Sequence, residues 1–304
     1  MELNSKSSLF ENAKNGDRRS LAKLLTRIEN GEEIHIPTTK VPWVLGVTGP
    51  PGAGKSTLID RLASHWSDNK QRVAILAVDP SSPISGGALL GDRARMVHSN
   101  PTQVYFRSIS ARGNHGGIPN GLEAMIQALS ESGWDRVIIE TVGVGQGEFA
   151  IISVADRILL VDGPDRGDVL QAEKAGILEI ADLIACNKSD LPGSLKAMKS
   201  IEDGLSYSEN PPPVISVSSL TGDGIENLVH RIETLKPDLG KSIARAKISL
   251  ESVLISRIRR SPLYDDVVHD ISQNKVTSIQ GAERMEGNYG GISVSYTHLT
   301  LPTS

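Results

Sequence analysis

The chain has 304 residues, a formal net charge of −4 and a single cysteine, Cys186. Its basic residues are scattered, which argues against the basic patch of a nucleic-acid-binding protein, so we expect no nucleic-acid partner. One cysteine cannot build a disulfide framework, which favours a reducing compartment and predicts a cytoplasmic location. The apolar runs are strand-sized, and the N-terminal region lacks a secretory signal pattern, so we expect no membrane association.

The order of the apolar patterns along the chain predicts an α/β fold. Residues 7–30 place apolar side chains near helical spacing, interrupted at the sequence NGD, and predict two short helices. Between residues 41 and 238, strand-like runs alternate with helix-like segments, which is typical of a mostly parallel sheet with helices on both faces. A long helix is predicted over 241–260, where Leu250, Leu254 and Ile258 form an apolar face that packs on a partner or on the main domain.

The C-terminal sequence SVSYTHLTLPTS differs from the helical sequence before it. It carries no acidic or basic residue apart from one histidine, and it is β-prone. Our hypothesis is that residues 291–304 include a cloning or assembly scar and not native coding sequence. A short terminal strand is the alternative. Re-sequencing the locus tests the hypothesis, because in-frame codons for this stretch would refute it.

The strongest motif is GPPGAGKS, which has the spacing G-x-x-x-x-G-K-S between an apolar run and a helix-like segment. Its glycines let backbone N–H groups surround phosphate, and the following helix N-terminus adds partial positive charge. Lys55 can reach the β- and γ-phosphates, and the Ser56 hydroxyl can bind Mg²⁺. The predicted nucleotide contacts in this motif are Gly49, Pro50, Pro51, Gly52, Ala53, Gly54, Lys55, Ser56 and Thr57.

A second motif, NKSD, follows the apolar run LIAC and predicts selectivity for guanine. The Asp190 carboxylate can accept both N–H donors of the guanine Watson–Crick edge, and Asn187, next to Lys188, can contact the O6/N7 side. Adenine lacks this pair of donors and would leave the carboxylate unpaired. The later sequence SVSSLTGDGI predicts a loop that closes over the base through a backbone N–H near Ser218 and Ser219. A polar loop before a helix is the alternative for that sequence.

Acidic residues between the two motifs are candidate magnesium ligands. Asp79 ends an apolar run, and Asp92 lies in the Gly-, Ser- and Pro-rich segment that follows it. For Asp92, a helix N-cap is an equally good interpretation. Glu140 precedes Gly143 with the acid-x-x-Gly spacing of GTPases, in which the acid holds Mg²⁺ through water and the glycine N–H contacts the γ-phosphate. Lys55, Glu140 and Asp92 are therefore the predicted catalytic residues.

Several sequences occur in the order that characterises the MeaB/ArgK family of methylmalonyl-CoA mutase-associated GTPases, which belong to the SIMIBI class. They are GPPGAGKST, VDPSSPISGGALLGDRARM, RSISARGNHGG, ETVGVGQGE, GDVLQAEKAGILEIAD and NKSD, and the resemblance covers about residues 10–285. This resemblance implies a homodimeric GTPase that binds GTP or GDP with Mg²⁺. It further implies a chaperone of an adenosylcobalamin-dependent acyl-CoA mutase, which gates cofactor loading and protects the enzyme from inactivation.

The same resemblance implies a division of the chain into four parts. Three of these are an N-terminal helical extension over 1–40, a P-loop GTPase domain over 41–238 and a C-terminal helical dimerisation arm over 239–290. The fourth, an atypical tail over 291–304, ends in a stretch that matches nothing in the family. The resemblance gives the acidic residues a metal and switch role and the NKSD residues a guanine-binding role. The arm is short for the family.

Two other functional classes are compatible with a P-loop. A transport-linked ATPase or small-molecule kinase is opposed by NKSD, and tighter binding of ATP than of GTP would favour it. A metal-insertion GTPase usually carries a His-rich or Cys-containing ligand set, whereas the seven histidines here are scattered and Cys186 stands apart from them. Stoichiometric binding of nickel or zinc would favour that class.

Overall fold

The computed structural model describes residues 2–79, 97–110, 119, 121–141, 151, 154–164, 181–206, 210–236, 239–259 and 261–286. The predicted site residues Asp92 and Gly143 lie outside these ranges, as does the tail over 291–304. The chain divides into two compact units, Met1–Ile248 and Ser249–Ser304.

A parallel sheet of seven strands forms the centre of the first unit. The strands are β1 Val44–Thr48, β2 Val73–Asp79, β3 Val104–Ser110, β4 Arg136–Thr141, β5 Arg157–Asp162, β6 Leu183–Cys186 and β7 Val214–Ser216. They lie in the order β3-β2-β4-β1-β5-β6-β7, and all neighbours are parallel. Nearly continuous apolar runs suit such strands, because helices cover both faces of a parallel sheet. The predicted α/β class is confirmed.

Helices pack on both faces of this sheet. They are α1 Glu2–Lys14, α2 Arg18–Glu29, α3 Lys55–Asp68, α4 Leu122–Glu131, α5 Ser194–Leu205 and α6 Ile225–Thr234. Successive side chains of a strand point to opposite faces, so Ala74 and Leu76 of β2 join the core formed with α2 and α4. Val73 and Ile75 join the opposite core, formed with α3 and α6. The phosphate-binding motif is therefore followed by a helix, α3, that packs on one face of the sheet.

The N-terminal helices are attached to the edge strand β3 by buried polar contacts. Glu29, at the end of α2, forms an ion pair of 2.6 Å with Arg107 of β3 and accepts the backbone N–H of Ser110. The predicted interruption at NGD separates α1 from α2, and Asp17 caps α2 by accepting the N–H of Arg19. The N-terminal helices are thus part of the first unit and continue its core.

The long C-terminal helix is present as α7, Leu239–Arg259, which agrees with the predicted helix. Its residues Leu250, Leu254 and Ile258 are exposed in the single chain, so the packing partner of that apolar face stays a prediction. The second unit also contains α8 Tyr264–Ser272 and α9 Ser278–Glu286. Among the described residues, no helix is both long enough and apolar enough to cross a membrane.

A buried ion pair attaches the first half of α7 to the sheet. Arg245 pairs with Asp182, which directly precedes β6, and the two side chains are 10% and 6% exposed. Asp182 also accepts the N–H of Ile158, and Arg245 donates to the carbonyl oxygen of Asp156 at 2.8 Å. These contacts neutralise two charges that are removed from water, which is the condition for a buried pair to be tolerated.

Replacing Asp182 by alanine is expected to lower the free energy of unfolding by about 3–5 kcal/mol, because Arg245 would stay buried without its counter-charge. Urea unfolding followed by circular dichroism measures this change. The double variant Asp182→Ala/Arg245→Met is the control, and it should recover part of the loss because no unpaired charge remains. A loss below about 1 kcal/mol in the single variant would show that the pair behaves like an exposed one.

Candidate functional site

The described site residues converge at the carboxyl edge of the sheet. The GPPGAGKS motif follows β1, Glu140 lies near the end of β4, and NKSD follows β6. Because β1 lies between β4 and β5, the loop after β1 is next to the ends of both strands. In open parallel sheets, ligands bind outside the carboxyl ends of the strands at such a point, where the strand order reverses.

The phosphate loop, residues 49–56, has a backbone that two of its glycines make possible. Gly49 has a φ of 143°, and a Cβ atom there would lie 2.1 Å from the carbonyl oxygen of Val161. Gly54 has a φ of 88°, and a Cβ atom there would lie 2.4 Å from Nδ2 of Asn187. Side chains at either position would clash and strain the loop. The other predicted contacts divide into the buried Pro50 and Ala53 and the exposed Pro51, Gly52 and Thr57.

Lys55 begins α3, and its ammonium group turns back into the phosphate loop. Nζ donates to the carbonyl oxygens of Gly49 at 2.7 Å and Pro50 at 3.0 Å, and the side chain is buried. This places a positive charge beside the positive end of the α3 dipole. The arrangement suits an anion held by the loop. Contact of Lys55 with the β- and γ-phosphates stays a prediction.

The structure brings together two predicted metal ligands, Ser56 and Glu140. The Ser56 hydroxyl donates to Oε1 of Glu140 at 2.7 Å, and Glu140 is buried. Hydroxyl and carboxylate oxygens are the ligands that Mg²⁺ takes in nucleotide sites, so this pair fits the ion. Asp79 ends the neighbouring strand β2, two positions beyond Ala77, the register partner of Glu140. Asp92 lies outside the described residues and adds nothing to this geometry.

Asn187 joins the phosphate loop to the base loop, which we define as residues 217–223. Its Nδ2 donates to the carbonyl oxygen of Ala53 at 2.9 Å and to Oγ of Ser219 at 3.1 Å. Its Oδ1 accepts the backbone N–H of Ser219 at 3.0 Å, and the residue is fully buried. The side-chain amide therefore fixes the position of the phosphate loop relative to the base loop. Contact with the O6/N7 side of guanine stays a prediction for Asn187.

The carboxylate of Asp190 is exposed and oriented by the base loop. The Ser218 hydroxyl donates to Oδ1 of Asp190 at 2.5 Å. A carboxylate that is fixed on one side and accessible to solvent suits recognition of two neighbouring N–H groups. The backbone N–H of Ser218 already donates to the Asp223 carbonyl oxygen at 2.9 Å, and that of Ser219 donates to Asn187. A base contact through either N–H, as the sequence predicts, would require one of these bonds to exchange.

Lys188 has a left-handed backbone, with a φ of 62°. Its side chain lies beside the backbone of Gly163, because a Cβ atom at that glycine would be 3.8 Å from Cδ of Lys188. The lysine stem therefore passes the start of the loop that follows β5 at ordinary van der Waals distance. The pairing of Lys188 with the base stays a prediction.

Asp60 is a buried acidic residue of α3 that the sequence gives no reason to select. Its Oδ2 accepts the N–H groups of Val97 and His98, both at 2.8 Å, and its Oδ1 accepts that of Ser99 at 3.0 Å. The helix that follows the phosphate loop thus holds the backbone at 97–99. An acid inside a helical pattern is usually a solvated residue, so the sequence carries no signal for this contact.

One family profile, described as methylmalonyl Co-A mutase-associated GTPase MeaB, matches residues 7–270. The chain belongs to this family. MeaB-family membership confirms the resemblance seen in the motifs and identifies the protein as a GTPase with a guanine-nucleotide site. A Pyrococcus abyssi protein named as a GTPase is 35% identical over an alignment of 318 positions, which covers 94% of this chain and 98% of that protein.

A second relative is a longer protein, of which this chain matches only a part. The fused isobutyryl-CoA mutase of Nocardia farcinica is 36% identical over an alignment of 241 positions, which covers 72% of this chain and 22% of that protein. Among solved structures, one titled LAO/AO transport system kinase has a TM-score of 0.61 and 23% identity and covers 95% of this chain and 98% of that chain. That structural likeness supports the P-loop fold.

Replacing Glu140 by alanine should leave GDP binding largely intact but lower Mg²⁺-dependent GTP hydrolysis by about tenfold or more. The reason is that Ser56 loses the acceptor that orients its hydroxyl. Calorimetric GDP affinity and GTP turnover as a function of Mg²⁺ concentration measure the two effects. Glu131→Ala removes another hydrogen-bonded carboxylate, on α4, and serves as the control. If GDP affinity falls as much as turnover, Glu140 is a structural residue.

Proposed function

We propose that this MeaB-family GTPase is a nucleotide-controlled chaperone of an adenosylcobalamin-dependent acyl-CoA mutase. In this proposal it gates loading of the cofactor and protects the mutase from inactivation. The family description names methylmalonyl-CoA mutase, and the Nocardia farcinica relative is named as a fused isobutyryl-CoA mutase. Both names support an acyl-CoA mutase as the protein partner.

The observation that carries the nucleotide-binding part of the proposal is the connection between the phosphate loop and the base loop. The Asn187 amide bonds to Ala53 on one side and to Ser219 on the other, so the two loops cannot move independently without breaking buried hydrogen bonds. A nucleotide would therefore be bound at its phosphates and at its base by two loops that are held in a fixed relative position. Asp190 would accept the N1–H and N2–H donors of guanine, which supports GTP and GDP as ligands.

We assign hydrolysis to in-line attack of water on the γ-phosphate of GTP. Lys55 and the N–H groups of the phosphate loop would stabilise the charge on the phosphate oxygens. Ser56 and Glu140, together with Asp79 and Asp92, would hold Mg²⁺, which supplies charge neutralisation between the β- and γ-phosphates. Because no arginine finger or catalytic base is evident in the sequence motifs, slow intrinsic turnover is expected.

The proposal includes a homodimer formed through the C-terminal helices and a cytoplasmic location. Support for the dimer comes from the exposed apolar residues Leu250, Leu254 and Ile258 of α7, which lie on one face of the helix at four-residue spacing. A monomer that kept this face exposed would carry an aggregation risk.

The metal-insertion alternative finds no support in the described residues. That part of the chain contains no group of three His, Cys, Asp or Glu side chains that could hold a metal ion. Burial raises the pKa of the Cys186 thiol to about 11, so at neutral pH it stays protonated and is a poor metal ligand. For the ATPase or kinase alternative, the oriented Asp190 carboxylate argues against adenine.

A cognate acyl-CoA mutase is expected to accelerate GTP turnover, because a protein partner can supply a further charge-stabilising group to the γ-phosphate. Single-turnover GTP hydrolysis with and without the mutase measures the effect. The mutase is also expected to co-precipitate more strongly with the GTP-analogue form than with the GDP form. The control is Asp190→Ala, which should abolish both nucleotide responses. Unchanged turnover together with equal capture in both nucleotide forms would contradict the chaperone role.

A further inference from the structure

Arg61 of α3 contacts the base loop, although it lies outside every motif in the sequence. Its Nε donates to the carbonyl oxygen of Ser219 at 2.9 Å, and its Nη2 donates to that of Leu220 at 2.5 Å. The guanidinium is a planar fork of donors, so it fixes the direction of two successive carbonyl groups at once. Gly222 of the same loop also comes close, since a Cβ atom there would lie 3.9 Å from Nη1.

The hydrogen bonds continue from Arg61 to the carboxylate of Asp190. The carbonyl of Leu220 and the N–H of Thr221 belong to one planar peptide unit, so fixing the first directs the second to the opposite side. That N–H donates to Oγ of Ser218 at 3.1 Å. The Ser218 hydroxyl in turn donates to Oδ1 of Asp190. An unbroken chain of hydrogen bonds therefore runs from α3 through the Leu220–Thr221 peptide to Asp190.

This series of hydrogen bonds determines which way the Ser218 hydroxyl points. A serine hydroxyl rotates freely and can donate only one hydrogen bond. Because the Thr221 N–H occupies an acceptor position on Oγ, the hydroxyl proton is directed to the remaining partner, Asp190. Asp190 is exposed and would otherwise sample several rotamers in water. Bonds of this kind polarise one another, so loss of the first weakens the last.

We propose that Arg61 is a positioning residue for guanine selectivity, which acts on Asp190 through the Leu220–Thr221 peptide and the Ser218 hydroxyl. The inference rests on the proposed recognition of guanine by Asp190. Arg61 makes no contact with the base itself. Its role is to keep the carboxylate in the rotamer that accepts the N1–H and N2–H donors together. The same helix carries Lys55 and Ser56 at its start, so one rigid element orients both the phosphate-binding and the base-binding groups.

The test compares the affinities of GDP and inosine diphosphate, whose hypoxanthine base lacks the exocyclic N2 amino group. The wild-type protein should prefer GDP by about tenfold or more, the value of one hydrogen bond to a charged group. Arg61→Met retains the aliphatic stem but removes the donors. It should reduce this preference by about tenfold while changing the affinity for inosine diphosphate by less than about threefold. Calorimetry or competition with a fluorescent nucleotide measures both affinities.

The controls separate a positioning role from a general loss of structure. Ser64→Ala removes a side-chain hydrogen bond from the same helix, made to the His98 carbonyl oxygen, and should retain the wild-type preference. In a Ser218→Ala background, Arg61→Met should cause no further loss of the preference for GDP, because the series of hydrogen bonds to Asp190 is already interrupted. If Arg61→Met does not fold, Arg61→Lys is used. It keeps the charge but cannot bridge two carbonyls as a fork, and a reduced preference is again expected.

The outcomes also distinguish this inference from the proposed function. A wild-type protein without preference for GDP over inosine diphosphate and ADP would refute guanine recognition by Asp190 itself. A wild-type preference that persists in Arg61→Met, or affinities for both nucleotides that fall in parallel, would overturn the role of Arg61 alone. The role is also overturned if Arg61→Met lowers the preference equally with and without the Ser218 hydroxyl.

Discussion

The buried amide of Asn187 is the interaction on which the nucleotide site depends. It is fully buried and bonds to Ala53 of the phosphate loop and to Ser219 of the base loop. A buried amide with an unsatisfied donor or acceptor is costly, so the two loops are held where both sets of bonds can form. Gly54 is required for the same reason, since any side chain there would collide with the Asn187 amide.

Helix α3 extends this connection beyond the two loops. Lys55 and Ser56 lie at its N-terminus, and Asp60 and Arg61 follow within two turns. Asp60 accepts backbone N–H groups at 97–99, and Arg61 donates to carbonyls of the base loop. Because α3 is packed along a buried face of the sheet, its residues from Lys55 to Arg61 are held in fixed relative positions. The helix that carries the phosphate-binding residues at its start therefore also contacts the backbone at 97–99 and the base loop.

The parallel sheet explains why these groups meet at all. Strand order places β1 between β4 and β5, so the phosphate loop after β1 lies next to the carboxyl end of β4 and the Ser56 hydroxyl reaches Glu140. At the edge strand β3, the ion pair of Glu29 of α2 with Arg107 attaches the N-terminal helices to the sheet. Membership of the MeaB family agrees with a site built on this frame.

The sequence by itself determined the element types, the P-loop and the NKSD motif, because apolar periodicity and motif spacing are local properties of the chain. It also predicted that Ser56 and Glu140 are metal-side groups. Only the tertiary structure decided that these two form a direct hydrogen bond, that Asn187 braces two loops, and that Arg61 connects to Asp190. Such contacts join residues far apart in the chain, and their geometry arises from strand order and from the packing of distant elements, neither of which has a local sequence signal.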